Sequence, residues 1–565
     1  MVVGDAWLEK ADALLVQLFA GWNNLTTVLV TVIILYVAYP WLTWRDPDTH
    51  PLLLARQATS SPVRKKGESA VYRSLECPYG YPLRNGLNVK DPDAPKWSPG
   101  RNGDIRDIWR RAIQGPLNDD GTPSGQKGKI LTVLGREQVL THEFEGISQE
   151  INIVGQQIKS ANGSVVAIYL SNSTELIASI FAAAFYGFKA VLIPYKLTTE
   201  ELIKHLSLVK ADVLIAEAGT VELGLVTKSC PELSNVIWVA KYGSRHMDWN
   251  EVPEGVGSKL DVCVWHELFD EKKGIVSSEL PPFEKDSTVQ PLVLFSEGTG
   301  NLKLIEYTSE NIVAATAAQL SAIPRAQRYS LKDTVLPADS LTSVYPLTTT
   351  FAALYSGSTI ALNSVAGDAV DIRSAATGVS PTIIITPSDS LSQYHSRTTS
   401  KSKTIFEKLN HTLQSQCLDS GTMPKPTTIS KAITGGTAAI EPSFSNLRLI
   451  ISSYEAGSSN PPISSQSLAN LRIITGARII YALTAPHVAG AVTQTNIFDY
   501  RRSKGPAHLG TPLSSVELKL IGDEKDMCDG NPVGKVLVSG PAVVGGETVI
   551  QNQAMFNDDG TLSFI

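Results

Sequence analysis

The chain has few cysteines and few charged residues for its length. Its 565 residues include five cysteines, and charged residues make up 18% of the composition. The cysteines lie far apart, without a Cys-x-x-Cys pair or a neighbouring histidine cluster. The cysteines therefore indicate neither a disulfide framework nor a zinc site, and they predict free thiols in a reducing compartment. Lysines and arginines are scattered and the net charge is −6, so no nucleic-acid partner is predicted. Hydrophobic residues at 43% favour a globular α/β protein.

The N-terminal region contains a long stretch without charge, between Asp12 and Arg45. Within it, residues 25–44 (LTTVLVTVIILYVAYPWLTW) can span the roughly 30 Å hydrocarbon core of a bilayer at about 1.5 Å per residue. Tryptophans flank this segment, as expected for rings at headgroup depth. The sequence therefore predicts a transmembrane helix at 25–44, preceded at 1–24 by an amphipathic segment. A buried core helix is the alternative interpretation.

The charges around this segment predict its orientation. Lys10 precedes it, whereas five basic residues follow it: Arg45, Arg56, Arg64, Lys65 and Lys66. The positive-inside rule then places the bulk of the chain in the cytosol. We expect a single-pass protein at the endoplasmic reticulum or a lipid droplet, with membrane lipid as one partner.

The rest of the chain divides by composition into three parts. Residues 45–130 are rich in Pro, Gly, Asp and Arg, which predicts a tether with irregular elements. Over residues 131–505 apolar strands alternate with helices, which predicts parallel sheets covered on both faces. Residues 506–565 predict a small β-rich subdomain.

Periodicity and caps predict individual elements within the α/β part. Strands are predicted at 165–170, 190–194, 211–216, 382–386 and 447–451. Helices are predicted at 174–186, capped by Ser173, and at 200–209, capped by Thr198 or Thr199. The serine-rich stretches 388–402 and 452–468 are predicted to be loops.

Four segments with characteristic residues follow one another along the chain. They are VVAIYLSNSTELIASIFAAAFYGFKAVLIPYKLTTEEL (165–202), PTIIITPSDSL (381–391), HLGTPLSSVELKLI (508–521) and VGKVLVSGPAVVGG (533–546). In this order they resemble the adenylate-forming (AMP-binding) superfamily, over roughly residues 130–565. The layout is similar to that of membrane-anchored long-chain fatty acyl-CoA synthetases. The resemblance implies an α/β fold, with an N-terminal transmembrane helix, two parallel-sheet αβ subdomains and a small β-rich subdomain.

The resemblance also implies a chemistry. Such enzymes use Mg-ATP to convert a carboxylate into an acyl-AMP, and they then transfer the acyl group to the thiol of coenzyme A. That reaction needs backbone amides and hydroxyls around the phosphates, a flat slot for adenine and a lysine at the carboxylate.

The phosphate-binding loop is the first motif of the resemblance. The family pattern is T-S-G-T-T-G-x-P-K-G, and the residues that match it here are Ser296, Gly298, Thr299, Gly300 and Lys303. The loop is one hydroxyl residue short, and Glu297 places a negative charge beside the expected triphosphate, where like charges repel by about 1–4 kcal/mol. A plain strand–turn–strand connection is the alternative interpretation.

The adenine slot is the second motif, and in the family it is a strand that ends in S-G-G-A. Here Ser453, Tyr454 and Glu455 fall on the G-G-A positions, so a tyrosyl side chain replaces a glycine that lets the backbone approach the base. Gly435 and Gly436 offer a competing match, but they precede the strand instead of ending it.

The third motif, Y-G-x-T-E, appears as Tyr481 and Thr484 followed by Ala485. The resemblance implies that the glutamate helps to hold magnesium, and an alanine cannot ligate a cation that prefers oxygen. Losing one charged contact costs about 1.5–3 kcal/mol. The sequence stops at Ile565, ahead of the family's R-T-G-D motif and lid domain. We expect either a product without a lid or a longer product that carries one.

These departures predict a function and leave an alternative open. We expect a degenerate, membrane-anchored homologue of the long-chain fatty acyl-CoA synthetases that binds a long-chain acyl group or a protein partner. The alternative is an active ligase that uses ATP, Mg²⁺ and coenzyme A. In it Lys303 and Thr484 would be catalytic, Lys303 beside phosphate and Thr484 at the α-phosphate or acyl carbonyl, while Tyr481 would stack on adenine.

Overall fold

The computed structural model describes most of the chain and divides it into two compact units. The described residues are 12–13, 16–17, 20–42, 45–90, 95, 97–118, 122–134, 138–240, 260–282, 287–298, 301–367, 370–399, 405–424, 442–524, 527 and 532–565. One unit is Met1–Asp48 and the other is Thr49–Ile565. The second unit contains all the sheets.

The elements of the described residues are numbered in chain order. The helices are α1 (Asn24–Leu42), α2 (Pro51–Ala55), α3 (Ile105–Gln114), α4 (Phe144–Ser160), α5 (Thr174–Tyr186), α6 (Thr199–Val209), α7 (Leu223–Ser229), α8 (Trp265–Lys272), α9 (Ser309–Ala322), α10 (Val344–Tyr355), α11 (Ile372–Ala376), α12 (Ser388–Thr399), α13 (Ile405–Asp419) and α14 (Ser465–Thr475). The strands are β1 (Ala58–Ser60), β2 (Tyr72–Ser74), β3 (Ile130–Leu134), β4 (Gln138–His142), β5 (Val165–Tyr169), β6 (Lys189–Leu192), β7 (Val213–Glu217), β8 (Asn235–Val239), β9 (Asp261–Val264), β10 (Leu292–Gly298), β11 (Asn301–Tyr307), β12 (Thr334–Pro337), β13 (Thr359–Asn363), β14 (Ile383–Pro387), β15 (Leu449–Glu455), β16 (Arg478–Thr484), β17 (Ala491–Gln494), β18 (Thr511–Pro512), β19 (Glu517–Ile521), β20 (Val533–Ser539), β21 (Glu547–Phe556) and β22 (Leu562–Phe564).

The N-terminal unit contains α1, which falls on the predicted transmembrane segment. Its first turns carry polar groups: the Asn23 amide oxygen accepts from the Thr26 backbone N–H at 2.9 Å, and the Thr31 hydroxyl donates to the Thr27 carbonyl at 2.7 Å. Its described bounds are Asn24–Leu42, and residues 43–44 of the predicted segment lie outside the described residues. Within the described ranges, no helix combines the length and hydropathy needed to cross a bilayer. The predicted transmembrane helix at 25–44 is therefore not supported.

Two large sheets, each mostly parallel, form the α/β part of the second unit. One has seven strands in the order β11-β10-β6-β5-β7-β8-β9, and the other has nine in the order β18-β17-β16-β15-β14-β12-β13-β3-β4. In the seven-stranded sheet only the β10–β11 pair is antiparallel. The central strands of both large sheets are buried on both faces, because helices cover both sides of a parallel sheet. The predicted α/β fold with parallel-sheet subdomains is confirmed.

A third, antiparallel sheet joins distant parts of the sequence. Its order is β1-β2-β19-β20-β21-β22, so the strands of the predicted β-rich part are completed by two strands from the predicted tether. The Tyr72 and Phe556 rings stack across it with centroids 3.6 Å apart.

Local signals placed several helices correctly. Helix α5 has the predicted bounds, and the Ser173 hydroxyl accepts from the Leu176 N–H at 3.2 Å. Helix α6 begins at Thr199, with Thr198 as its cap in a reciprocal pair with Glu201. The serine-rich stretches were wrongly predicted as loops, because α12 lies in the first and α14 begins in the second. Apolar residues at helical spacing outweigh the weak helix propensity of serine there.

Helix α4 carries a carboxyl group, Glu150, whose Oε2 atom is buried without a hydrogen-bond partner among the described residues. Burial is the main cause that raises the pKa of Glu150 from 4.5 to about 8, and the charge of Glu175 raises it further. A hydrogen bond from Trp265 acts in the opposite direction and lowers the pKa. The folded protein therefore holds a proton on Glu150 at neutral pH, whereas the unfolded chain releases it. Stability is lost as the pH rises toward that folded value.

We expect Glu150→Gln to raise the free energy of unfolding by about 2–4 kcal/mol above about pH 8, and to change little below about pH 5. The reason is that glutamine has no proton to lose, so the alkaline decline of stability disappears. Urea denaturation of both proteins across this pH range measures the effect. Glu145→Gln, an exposed position on the same helix, is the matched control, and parallel pH profiles for wild type and Glu150→Gln would contradict the prediction.

Candidate functional site

The predicted site residues gather where two neighbouring parallel strands end. Strand β15 ends at Glu455 and β16 ends at Thr484, and these two residues are register partners. Ligands of open α/β sheets bind at this carboxyl edge.

The predicted phosphate loop falls on two paired strands and the residues between them. Strands β10 and β11 pair without interruption from Leu292 with Tyr307 to Gly298 with Asn301, and Ser296 lies opposite Lys303. Thr299 and Gly300 lie outside the described residues. The Lys303 side chain is exposed.

Tyr454, at the position predicted for the adenine slot, has a buried side chain. The Tyr454 residue is 3% exposed, and its hydroxyl donates to the Asn460 carbonyl at 3.2 Å. Its ring meets Phe564 edge-on, with centroids 6.2 Å apart. Burial raises the pKa of the phenol. The neighbouring Ser453 is half-buried and pairs with Ala482 of β16.

Tyr481 points into the core. Its side chain is fully buried, and its hydroxyl accepts from the Ile463 N–H at 3.1 Å. The Tyr481 N–H donates to the Thr495 hydroxyl at 2.8 Å. Burial raises the pKa of Tyr481, in keeping with a phenol enclosed by apolar neighbours. The ring therefore presents no free face at the edge of the sheet.

Thr484 lies at the edge itself, half-buried, and its hydroxyl donates to the Tyr454 carbonyl at 3.3 Å. Ala485 follows Thr484, and its methyl group stands at the position where the family pattern Y-G-x-T-E has a metal-binding carboxylate. The structure thus brings Ser453, Tyr454 and Thr484 together, and it places the Tyr481 ring one layer deeper.

Sequence reasoning missed His487. A tight turn runs from Ala485 to Val488, closed by a hydrogen bond of 3.2 Å from the Val488 N–H to the Ala485 carbonyl. Pro486 is its second residue, and His487 is its third with φ of 70°. A type II turn prefers glycine at that third position, because a positive φ strains other residues. The sequence signal was Ala-Pro-His-Val, a proline followed by a non-glycine residue.

Neighbouring groups define the electrostatics of this turn. The His487 carbonyl accepts from the Val544 N–H at 2.7 Å, which fixes the turn from a second direction. Burial lowers the pKa of His487 below its ordinary value, and the charge of Lys303 lowers it further. The imidazole has no hydrogen-bond partner among the residues that the structure describes.

The residues present do not fit Mg-ATP. Tyr454 is a buried tyrosine at a position where the family pattern has glycine, and Ala485 supplies no oxygen for a divalent cation. Within the part of the chain that the structure describes, no group of three His, Cys, Asp or Glu side chains could hold a metal ion.

Comparisons with known proteins agree on one family and one fold. The family described as AMP-binding enzyme matches residues 145–546, more than two thirds of the chain. The anthranilate CoA ligase AuaEII, solved with anthranoyl-AMP, is 17% identical with a TM-score of 0.56, over 84% of this chain and 79% of that one. The inhibitor-bound N-terminal domain of FACL13 from Mycobacterium tuberculosis is 15% identical with a TM-score of 0.55, over 82% and 99%. The fatty acyl CoA synthetase of Mycobacterium tuberculosis is 15% identical with a TM-score of 0.53, over 82% and 78%. At these identities the likeness shows the fold.

A curated relative matches over a short stretch. It is a putative uncharacterized protein of Saccharomyces cerevisiae, 28% identical over 138 residues. The match covers 23% of this chain and 22% of the relative, so the chain spans about a fifth of the length of the curated relative that it matches.

Proposed function

We propose, from the premise that this chain belongs to the AMP-binding enzyme family, that it is a degenerate member with a lipid-associated binding or scaffolding role. Enzymes of that family use ATP and coenzyme A. In this proposal the chain keeps the scaffold and the carboxyl-edge site of the family, and it does not use Mg-ATP. The site would instead bind an acyl group or a protein partner.

One observation supports this proposal: the Tyr454 side chain, at the position predicted for the adenine slot, is buried. Its burial and its hydrogen bond to Asn460 make it part of the packed interior. Opening the slot would break that hydrogen bond and expose the ring, whose burial is worth about 2–3 kcal/mol. Ala485 adds to this cost, since magnesium would lack its carboxylate ligand.

The lipid-associated part of the proposal is supported by the N-terminal region of the second unit. Helix α2 carries Leu52 and Leu53, which are 72% and 58% exposed. The basic residues Lys65 and Lys66 are also exposed. Exposed leucines and exposed basic side chains are both suited to contact with a membrane that contains anionic lipids. We propose a cytosol-facing location on the endoplasmic reticulum or a lipid droplet.

A working long-chain fatty acid–CoA ligase is the second candidate. It is favoured by the exposed Lys303 and by Thr484, which sits at the carboxyl edge as a contact to an acyl or phosphoryl group requires. This candidate requires the Tyr481 ring to stack on adenine, and the full burial of Tyr481 argues against that role.

We expect the full chain to show no magnesium-dependent ATP binding and no fatty-acid-dependent pyrophosphate release. Isothermal titration and a pyrophosphate assay with palmitate measure these quantities, on wild type, Lys303→Ala and the exposed control Lys408→Ala. An active ligase would lose about ten- to a hundredfold in rate on Lys303→Ala, because a charged contact to phosphate is removed. Magnesium-dependent ATP binding by wild type, or pyrophosphate release that only Lys303→Ala lowers, would refute the proposal.

A further inference from the structure

We propose that α2 and a docking loop, residues 75–81, form a surface that binds an anionic lipid membrane. The inference deepens the lipid-associated part of the proposed function and rests on it. The AMP-binding enzyme family matches residues 145–546, so this surface lies ahead of the matched region and is separate from the family's site.

The docking loop exposes three large side chains within seven residues. Leu75, Tyr79 and Tyr81 are 46%, 52% and 68% exposed. Apolar and aromatic side chains that are concentrated on an exposed segment mark an interaction surface. A tyrosine combines an apolar ring with a polar hydroxyl, so it suits the boundary between acyl chains and headgroups.

The docking loop is held in one conformation by Arg73 of β2. The Arg73 guanidinium donates from Nη1 to the Tyr81 carbonyl at 2.7 Å, and it lies over the Tyr79 ring, 5.5 Å from the centroid. Arg73 is fixed in turn by Glu517, whose Oε2 atom accepts from Nε at 2.7 Å. The exposed side chains therefore sit on a preorganised loop, which lowers the entropy cost of binding a surface.

Strand register places α2 and the docking loop at the same end of one strand pair. Strands β1 and β2 are antiparallel, and Ala58 is the partner of Ser74. Helix α2 ends at Ala55, shortly before Ala58, and the docking loop follows Ser74 directly. The exposed Leu52 and Leu53 of α2 and the exposed side chains of the loop thus flank one end of this pair.

The charge of this region favours an anionic lipid surface as the partner. Residues 49–90 contain seven basic and two acidic residues, a net charge of +5, whereas the whole chain carries −6. Both acidic residues form ion pairs, Glu68 with Lys519 at 2.8 Å and Glu76 with Arg84 at 3.8 Å. A basic region in an acidic protein is attracted to anionic headgroups, while exposed apolar side chains enter the boundary beneath them.

The first test measures hydrogen–deuterium exchange of the full chain on phosphatidylcholine vesicles with and without phosphatidylserine. We expect residues 51–56 and 75–81 to exchange more slowly on the vesicles that contain phosphatidylserine, because lipid covers them there. Helix α7, whose Leu225 is 49% exposed, is the internal control and should exchange at the same rate on both. Equal exchange of residues 75–81 on both vesicles would overturn the inference, even if another segment binds the chain to lipid.

The second test removes the positive charge. Lys65→Gln combined with Lys66→Gln should lower the affinity for phosphatidylserine vesicles about thirtyfold, because each basic residue at such a surface contributes about 1 kcal/mol. Flotation at limiting lipid measures this affinity. The matched control combines Lys228→Gln with Lys408→Gln, which are exposed on α7 and α13. An equal loss for both pairs would mean that net charge alone matters, and the proposed surface would be wrong.

The third test removes the apolar contacts and leaves the loop folded. Leu75→Ser combined with Tyr81→Ser keeps the Tyr81 carbonyl and the Tyr79 ring that Arg73 holds, and it should weaken binding about tenfold. Leu208→Ser combined with Leu225→Ser is the control, since these side chains are 48% and 49% exposed outside the surface. Wild-type affinity of the loop variant would contradict docking. That result is separate from failure of the proposed function, which is decided by magnesium-dependent ATP use.

Discussion

Asp499→Ala is expected to lower the free energy of unfolding by about 3–5 kcal/mol, because it removes a fully buried carboxylate and the hydrogen bonds that it accepts, each worth about 1.5–3 kcal/mol when one partner is charged. The Asp499 carboxylate is fully buried and accepts from Arg501 Nε at 2.8 Å and from Gln57 Nε2 at 2.9 Å. His508 Nε2 lies 3.4 Å away. Chemical denaturation at neutral pH, with the midpoint and slope both recorded, measures the loss.

The pKa of Asp499 shows how strongly these partners act. Burial alone would raise the pKa of this carboxyl, but hydrogen bonds from Arg501 and His508 outweigh burial and hold it well below its usual range. A carboxyl with a depressed pKa contributes its stability above the unfolded value, and the contribution is lost only as the pH falls toward the folded value. Wild type should therefore keep this contribution through mildly acidic pH.

The next residue along the chain supplies a matched control. Arg502 forms an ion pair with Asp419, and both side chains are partly exposed. Asp419→Ala should cost about 0–1 kcal/mol, as exposed pairs do. If Asp419→Ala and Asp499→Ala lower the free energy of unfolding equally, burial of the Asp499 carboxylate does not determine its contribution to stability.

The Asp499 network also shows why the domain boundaries were hard to infer. Arg501 donates to Asp559 at 2.7 Å as well, and the Gln57 N–H donates to the Asp559 carbonyl at 2.8 Å. One cluster therefore binds a residue of the predicted tether to the predicted β-rich part. Partners separated by about 440 to 500 positions leave no periodic trace in a sequence, whereas the caps of α5 and α6 lie within three residues of the groups that they bind.

The sequence placed the candidate residues on strands but did not give the strand ends or the depth of the side chains. Ser453, Tyr454 and Thr484 were identified from the family motifs, and β15 runs to Glu455, beyond the end predicted at 451, because polar residues continue the strand after the apolar run stops. The depth at which Tyr481 is buried depends on how α14 and its preceding loop pack over β16, which one sequence does not specify. His487 was missed because a positive φ leaves a signal when the residue is glycine, and here it is not.

Helix α3 is the element of the predicted tether with the largest expected effect on stability, and Trp109 is its central residue. Trp109→Ala should lower the free energy of unfolding by about 3–5 kcal/mol, because truncating a buried aromatic side chain leaves a cavity. Trp109 is 0% exposed, its ring lies 4.8 Å from that of Phe181 and 5.4 Å from that of Phe144, and its indole N–H donates to the Ser148 hydroxyl at 3.1 Å. These contacts join α3 to α4 and α5, so the helix belongs to the core of the α/β part although its sequence neighbours are rich in proline and glycine.

Trp97→Ala is the matched control for Trp109→Ala, since Trp97 comes from the same stretch and is 90% exposed. Its loss should change stability by less than about 0.5 kcal/mol. The two variants together decide whether residues 97–114 are a passive tether or contain part of the core. If Trp109→Ala unfolds at the same denaturant concentration as Trp97→Ala, α3 does not support the sheets, and the irregular segment inferred from composition is the better description. If only Trp109→Ala is destabilised, the α/β core begins at α3, ahead of the first strand that the sequence pattern identifies.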